Sequence, residues 1–203
     1  MENRNCLVIG GGPVAERKVQ SLLECQARVH LVSPQITPGL AGMAESGQLD
    51  WKARVFQSSD LDNMLLVFIA TNQGEVNQAV ARACQERGIL VNAVDDPPHC
   101  NFFVPSVMRR QSLVLAISTE GKSPLLARRL REELEDLIPD DYGKFVEILG
   151  QARAYVKEKV PDIEERRKIF QMLVSPDMIE LVKMGREDLI RERIEKCISS
   201  WRA

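Results

Sequence analysis

The sequence has little of what marks several common protein classes. Cysteine is sparse and odd in number: Cys6, Cys25, Cys84, Cys100 and Cys197 are widely spaced, with no C-x-x-C. That spacing fits neither a disulfide framework nor a structural zinc site. Packing is the ordinary role for such thiols, and Cys6 and Cys84 fall in apolar or helical patterns that predict burial. Net charge is only -2, from 27 basic and 29 acidic residues. No extended basic run points to nucleic acid, and there is no acidic tail. Long apolar stretches are missing too. The first apolar run, residues 6–9, stops at three glycines. It is too short for a signal-peptide core or a membrane span. The expectation is a cytoplasmic protein with no membrane and no nucleic acid partner. No internal repeat and no low-complexity segment occurs.

What is present suits a globular enzyme. The 203 residues are 44% hydrophobic and 28% charged, enough for one α/β domain and a smaller appendage. The first half alternates strand and helix. Residues 6–9 read as a buried strand and 14–25 as a helix, with Val14, Val19, Leu22 and Leu23 inward and Glu16, Arg17, Lys18 and Glu24 outward. Strands follow at 28–32, 51–56, 65–70 and 89–92, with a helix at 76–86 that Gly88 is placed to cap. This rhythm implies a parallel sheet with right-handed crossovers. The pattern then changes to two β-type runs, 102–108 and 113–118, around a tight turn at 109–112. From Ser123 onward no strand is legible. Ser123-Pro124 is a helix start, and Leu126, Leu130, Leu134 and Leu137 form a stripe at helical spacing. Further helices are expected at 141–159, 162–173, 175–183 and 186–200, with breaks at Pro139, Pro161, Pro176 and Gly185. Ile190, Ile194 and Ile198 mark one face of the last.

Gly10-Gly11-Gly12-Pro13-Val14-Ala15 fits G-x-G-x-x-A between the first strand and the first helix. Gly10 permits the tight turn and Gly12 lets backbone approach a pyrophosphate. Ala15 lets helix and strand pack closely, and the helix N-terminus presents N–H groups to the anion. One element of the usual pattern is lacking. The end of the second strand carries Ser33-Pro34-Gln35, with no acid for a ribose 2′-hydroxyl and no arginine for a 2′-phosphate. Ser33 or Gln35 can replace the acid, and NAD is favoured over NADP. Ala70-Thr71-Asn72, after the fourth strand, forms a wall on the same edge.

Asn92 and Asp95-Asp96-Pro97-Pro98 follow the fifth strand, at the carboxyl edge where open α/β sheets bind ligands. The same four residues are good turn chemistry. His99 is nearby, and His30 lies on the second strand with no partner visible in the sequence. Arg109, Arg110, Lys122, Arg128, Arg129 and Arg131 supply positive charge that suits either a polycarboxylate or a solvated helix face.

Three blocks together resemble one family. They are Val8-Ile9-Gly10-Gly11-Gly12-Pro13-Val14-Ala15-Glu16-Arg17-Lys18; Asn92-Ala93-Val94-Asp95 followed by Asn101-Phe102-Phe103-Val104-Pro105-Ser106; and Ala116-Ile117-Ser118-Thr119-Glu120-Gly121-Lys122-Ser123-Pro124 with Leu126-Ala127-Arg128. The family is precorrin-2 dehydrogenase/sirohydrochlorin ferrochelatase, which includes the N-terminal half of bacterial sirohaem synthase. The resemblance implies an NAD-binding Rossmann domain at 1–112, a dimerisation region at 113–146 and a small all-helical C-terminal domain at 147–203, in a homodimer. It implies NAD-dependent oxidation of precorrin-2 to sirohydrochlorin, with Fe²⁺ as a further substrate in members that also insert iron. Asp95 falls on the catalytic aspartate. Asn92, Asp95, Ser118, Thr119, Lys122, Ser123 and Arg128 would hold the tetrapyrrole. Gly10, Gly12, Pro13, Val14, Ala15, Ser33, Pro34, Gln35, Thr71 and Asn92 would hold the nucleotide. No protein-held metal is implied. Thr119 stands where a serine of the family is phosphorylated, and Glu120-Gly121-Lys122 replaces a common Gly-Gly-Thr. No methyltransferase domain accompanies these residues, so the trifunctional synthase is not expected. Two other readings stay open on the residues: a generic NAD-dependent dehydrogenase, for which no suitably placed catalytic histidine is apparent, and a nucleotide-sensing regulatory domain, which would not need Asp95.

Overall fold

The computed structural model describes residues 1–199, without the side chains of the last two. Two compact units are present, one from Met1 to Phe103 and one from Val104 onward. In the first, β1 (Asn5–Ile9), β2 (Arg28–Val32), β3 (Leu49–Lys52), β4 (Leu66–Ile69) and β5 (Leu90–Ala93) form one parallel sheet in the order β3-β2-β1-β4-β5. Cys6 pairs in register with Val29 on one side and Leu66 on the other. Side chains alternate across a strand. Cys6 and Val8 therefore join a core with α1 (Pro13–Glu24) and α2 (Pro38–Glu45), while Leu7 and Ile9 join a second core with α3 (Gly74–Glu86). Coverage on both faces is why β1 and β4 read as unbroken apolar runs. Leu7 and Leu31 are fully buried, each side chain contributing about 2 kcal/mol by removal from water. The thiols of Cys6 and Cys84 are buried as expected, and burial pushes both up to about 11. Cys6, Cys25, Cys84 and Cys100 are free thiols.

Several local features differ from the sequence expectation. Helix α2 has no counterpart in it. Thr37 caps this helix, its Oγ1 accepting from Leu40 N at 3.2 Å, and Pro38 opens the first turn. Strand β3 begins earlier and ends at Lys52, because Arg54 leaves the strand to pair with Asp60 rather than alternating onward. Lys18 does not point outward: its ammonium lies 5.0 Å from the centroid of the Phe68 ring. His30 also has a partner, Asp50, its register neighbour on β3, with Nδ1 to Oδ2 at 3.1 Å.

The second unit opens with a hairpin of β6 (Ser106–Arg110) and β7 (Leu113–Ile117). Gln111, at φ +52, carries the tight turn between them. Strand β6 starts after Pro105 rather than at residue 102, since proline donates nothing to a ladder. Helix α4 (Pro124–Leu137) packs on the hairpin. Helices α5 (Asp141–Lys159), α6 (Ile163–Leu173), α7 (Pro176–Lys183) and α8 (Glu187–Ser199) share one core built on Phe145, Ile148, Val156, Ile169, Leu173, Val182, Ile190 and Ile194. Of the expected breaks, Pro139, Pro161 and Gly185 fall between helices, Gly185 at φ +66, while Pro176 is the first residue of α7. The side chain of Ile198 lies outside the described residues. At Gly143 the first turn of α5 comes so close to β6 that an added Cβ would sit 2.5 Å from the Arg110 carbonyl oxygen. Along α4, Leu126, Leu130 and Leu137 are exposed, and Ala127 is the buried residue.

Candidate functional site

The glycine loop joins β1 to α1 at the carboxyl edge of the sheet. Gly10 has φ +116, and a side chain there would collide with the Ala70 carbonyl. A Cβ on Gly11 would collide with the carbonyl of Gln35 and lie 2.7 Å from Ser33 Oγ. The sequence pattern missed this second constraint, because it arises from the loop after β2. At Gly12 the same Cβ meets nothing within 4 Å, so the loop is open on that side. Gly12 is the N-cap of α1 and has no side-chain cap, which leaves the first-turn N–H groups available to an anion. Ala15 is fully buried, as close packing of α1 on the sheet requires.

This loop floors a cleft of about 740 Å³, lined also by Pro13, Val14, Ser33, Pro34, Gln35, Thr71, Asn72, Gln73 and Val76. A glycine floor, a bare helix N-terminus and a volume within the range of small-molecule sites fit a dinucleotide. Trp51 Nε1 donates to the Ser33 carbonyl at 3.0 Å, and Ser33 Oγ donates to the Gln35 carbonyl at 2.6 Å, which fixes the β2 end of the cleft. Thr71 is oriented by the buried Asn77, whose Nδ2 donates to the Thr71 carbonyl at 3.0 Å. The end of β2 does lack both an acid and an arginine. The cation of the cleft comes from the loop after β3 instead: Arg54, Val55 and Phe56 line it. Read as strand, these three residues gave no signal.

Asn92 and Asp95 belong to the neighbouring β5 edge and do not line this cleft. Asn92 Nδ2 donates to the Phe102 carbonyl at 3.1 Å, tying β5 to the segment that follows. Asp95 is exposed and holds φ +59, a conformation aspartate tolerates better than most residues. Its loop is pinned at several points. Cys100 Sγ lies 3.2 Å from both the nitrogen and the oxygen of Ala93. The Asn101 side chain accepts from Val91 N at 2.7 Å and donates to the Ile89 carbonyl at 2.9 Å. His99 Nδ1 meets Asp96 Oδ2 at 2.7 Å. Burial raises the Cys100 thiol, which keeps it protonated and marks it as a packing group. Burial also lowers the Lys18 ammonium, with Arg17 adding to this and Asp95 and Cys100 opposing it.

The remaining residues sit between β7 and α4. Glu120 and Gly121 are both left-handed, at φ +54 and φ +77, so a two-residue reversal leads into the helix. Ser118 Oγ accepts from Glu120 N at 3.2 Å and Thr119 Oγ1 from Ser123 N at 3.0 Å. Ser123 caps α4, accepting from Leu126 N at 3.4 Å. Lys122 pairs with Glu120 at 3.0 Å on an exposed surface. Arg128 and Arg129 each hold the glutamate four residues on, at 2.8 and 3.1 Å, and Arg131 likewise reaches Glu135. Much of the basic cluster is therefore neutralised within its own helix. Among the described residues, no group of three or more His, Cys, Asp or Glu is placed to hold a metal. No described helix is long and apolar enough to cross a membrane.

Comparison with known proteins accounts for nearly the whole chain. Residues 1–106 match the family described as "Putative NAD(P)-binding", residues 110–137 the sirohaem biosynthesis protein central region, and residues 141–198 the sirohaem synthase dimerisation region. The siroheme synthase of Thioalkalivibrio sulfidiphilus is 41% identical over 200 residues, covering 98% of this chain and 41% of that protein. Siroheme synthase 1 of Aeromonas salmonicida is 42% identical over 179 residues, covering 88% of this chain and 38% of that protein. The chain thus spans about two fifths of the length of the curated relatives it matches. Among solved structures, SirC, a precorrin-2 dehydrogenase, superposes with a TM-score of 0.77 at 27% identity, covering 96% of each chain. The chain belongs to the putative NAD(P)-binding family through residues 1–106, and the sirohaem biosynthesis central region and the sirohaem synthase dimerisation region follow in order.

Proposed function

We propose that this chain is an NAD-dependent dehydrogenase that oxidises precorrin-2 to sirohydrochlorin in sirohaem biosynthesis, working as a homodimer. The observation that carries this reading is the glycine-floored cleft in a chain that matches a precorrin-2 dehydrogenase structure over 96% of its length. When bound, NAD supplies the hydride acceptor. Gly10, Gly12, Pro13, Val14 and Ala15 shape the turn that receives the pyrophosphate, and the α1 N–H groups neutralise it. Ser33, Pro34 and Gln35 flank the ribose, with Thr71 and Asn92 further along the sheet edge. Asp95 takes the proton that leaves the macrocycle with the hydride, so the substrate loses one of each. Its exposure and pinned backbone suit a carboxylate that must meet a large ligand. Asn92 supports Asp95 in the first unit, and in the second unit Ser118, Thr119, Lys122, Ser123 and Arg128 are our candidates for tetrapyrrole contacts, the two cations by its carboxylates. In the single chain, Val107 and Val114 on the hairpin and Leu126, Leu130 and Leu137 on α4 are exposed, apolar surface of the kind that a second copy would cover.

The test is an anaerobic absorbance assay. Precorrin-2 and NAD are added to the protein, then Fe²⁺. The reading predicts conversion to sirohydrochlorin, and the iron step then reports whether the chain also inserts metal. A protein that binds NAD and leaves precorrin-2 unchanged would overturn the dehydrogenase reading in favour of a nucleotide sensor.

A further inference from the structure

The cleft has one charged residue in its lining, Arg54, and no acid. The Arg54 guanidinium is held on one side. Nη1 donates to Asp60 Oδ2 at 2.7 Å and to the Val55 carbonyl at 2.9 Å, and Nη2 donates to Asp60 Oδ1 at 2.6 Å. Asp60 is 3% exposed. It also accepts from Lys52 Nζ at 3.3 Å and from Gln57 N at 2.9 Å. These contacts hold its carboxyl down to about 2, the Arg54 hydrogen bonds first among them, so it is ionised at any neutral pH. Asp60 and Val55 leave the Arg54 Nε–H and one Nη2 hydrogen unspent, a fork already oriented by a buried partner. In a sheet of this order the adenosine ribose lies beyond the end of β2, and the loop after β3 is its neighbour.

We infer that Arg54 is the ribose-end specificity residue of the dinucleotide cleft and that Asp60 is its positioning residue, the pair setting the preference between NAD and NADP. The inference rests on the nucleotide-binding reading above. With Asp60 ionised, the fork serves a neutral ribose hydroxyl, and a 2′-phosphate meets a cation whose charge is largely cancelled. Without that carboxylate, Arg54 and the adjacent Lys52 present their full charge to the phosphate. Arg54 and Asp60 therefore act on the NADP preference with opposite signs, which a merely structural ion pair would not do.

The experiment is calorimetric titration of NAD and of NADP into the full chain, for wild type, Asp60→Asn and Arg54→Gln. The ratio of the NADP to the NAD dissociation constant falls about tenfold in Asp60→Asn and rises about tenfold in Arg54→Gln, the size of one close charge partly screened by water. In Asp60→Asn the gain in NADP affinity shrinks as salt is raised. Should Asp60→Asn fail to fold, Arg54→Lys carries the test: it keeps the wild-type ratio while Arg54→Gln raises it. If both variants move the ratio the same way, or Arg54→Gln leaves it within about twofold, the inference is wrong while the cofactor reading stands. If wild type binds neither nucleotide, the cofactor reading fails and takes this inference with it.

Discussion

Asp60 offers a sharp test of the structural energetics because four donors converge on one buried carboxylate. Arg54 supplies two bonds at 2.6 and 2.7 Å, Gln57 N one at 2.9 Å and Lys52 one at 3.3 Å. Together they hold the group at about 2 against 3.8 for a free aspartate. That gap corresponds to about 2 kcal/mol of folding stability, at 1.36 kcal/mol per decade. Because the folded value is the lower one, the contribution is complete above pH 4 and is lost as pH falls from about 4 toward 2. About half should remain at pH 3. Asp60→Asn removes the charge, keeps the shape and turns an amide against Arg54. Loss of one partner of a buried pair adds its own penalty, so the variant should be about 2–4 kcal/mol less stable at neutral pH. Urea unfolding of both proteins at pH 7 and pH 3 measures this. The difference should be large at pH 7 and clearly smaller at pH 3. Equal midpoints at pH 7, or a difference undiminished at pH 3, would refute the reasoning.

Three further outcomes are expected. Gly11→Ala places a Cβ against the Gln35 carbonyl, so calorimetry should show NAD affinity down about tenfold or more as the loop shifts. Glu120→Gly relieves a left-handed residue at φ +54 and should raise stability by about 1 kcal/mol in thermal or urea unfolding; an unchanged or lower midpoint counts against that strain. Leu130→Glu places a charge on the exposed stripe of α4. It should shift the protein from dimer to monomer in analytical ultracentrifugation while the helical signal is kept.

What was legible in the sequence was what short-range pattern encodes. The runs of β1, β2 and β4, the glycine turn and all four C-terminal helices follow from apolar spacing, caps and breakers within a few residues of each other. Helix α2 was missed: Thr37-Pro38 caps and opens it, but its apolar residues are few and the cap signal stands alone. The other features that escaped are made by distant segments. Gly11 is fixed by Gln35 and Gly143 by Arg110. Lys18 looks like a solvated position on α1 until Phe68 of β4 lies beneath it. Arg54 alternates with its neighbours as a strand residue would, and only Asp60, after the strand has ended, turns it toward the cleft. The missing acid after β2 was correctly read as missing. The charge that stands in its place came from a loop that local pattern assigns to the sheet.

The central claim is that Asp95 takes a proton from precorrin-2 while the glycine cleft holds NAD. The direct measurement compares wild type with Asp95→Ala in two readouts: NAD affinity by calorimetry, and precorrin-2 oxidation by anaerobic absorbance. The account predicts NAD affinity within about threefold of wild type, since Asp95 does not line the cleft, and turnover lowered by about 100-fold or more. Turnover that survives the substitution would contradict the assignment of Asp95 as the base. Loss of turnover that merely tracks loss of NAD binding would contradict the separation of the two sites.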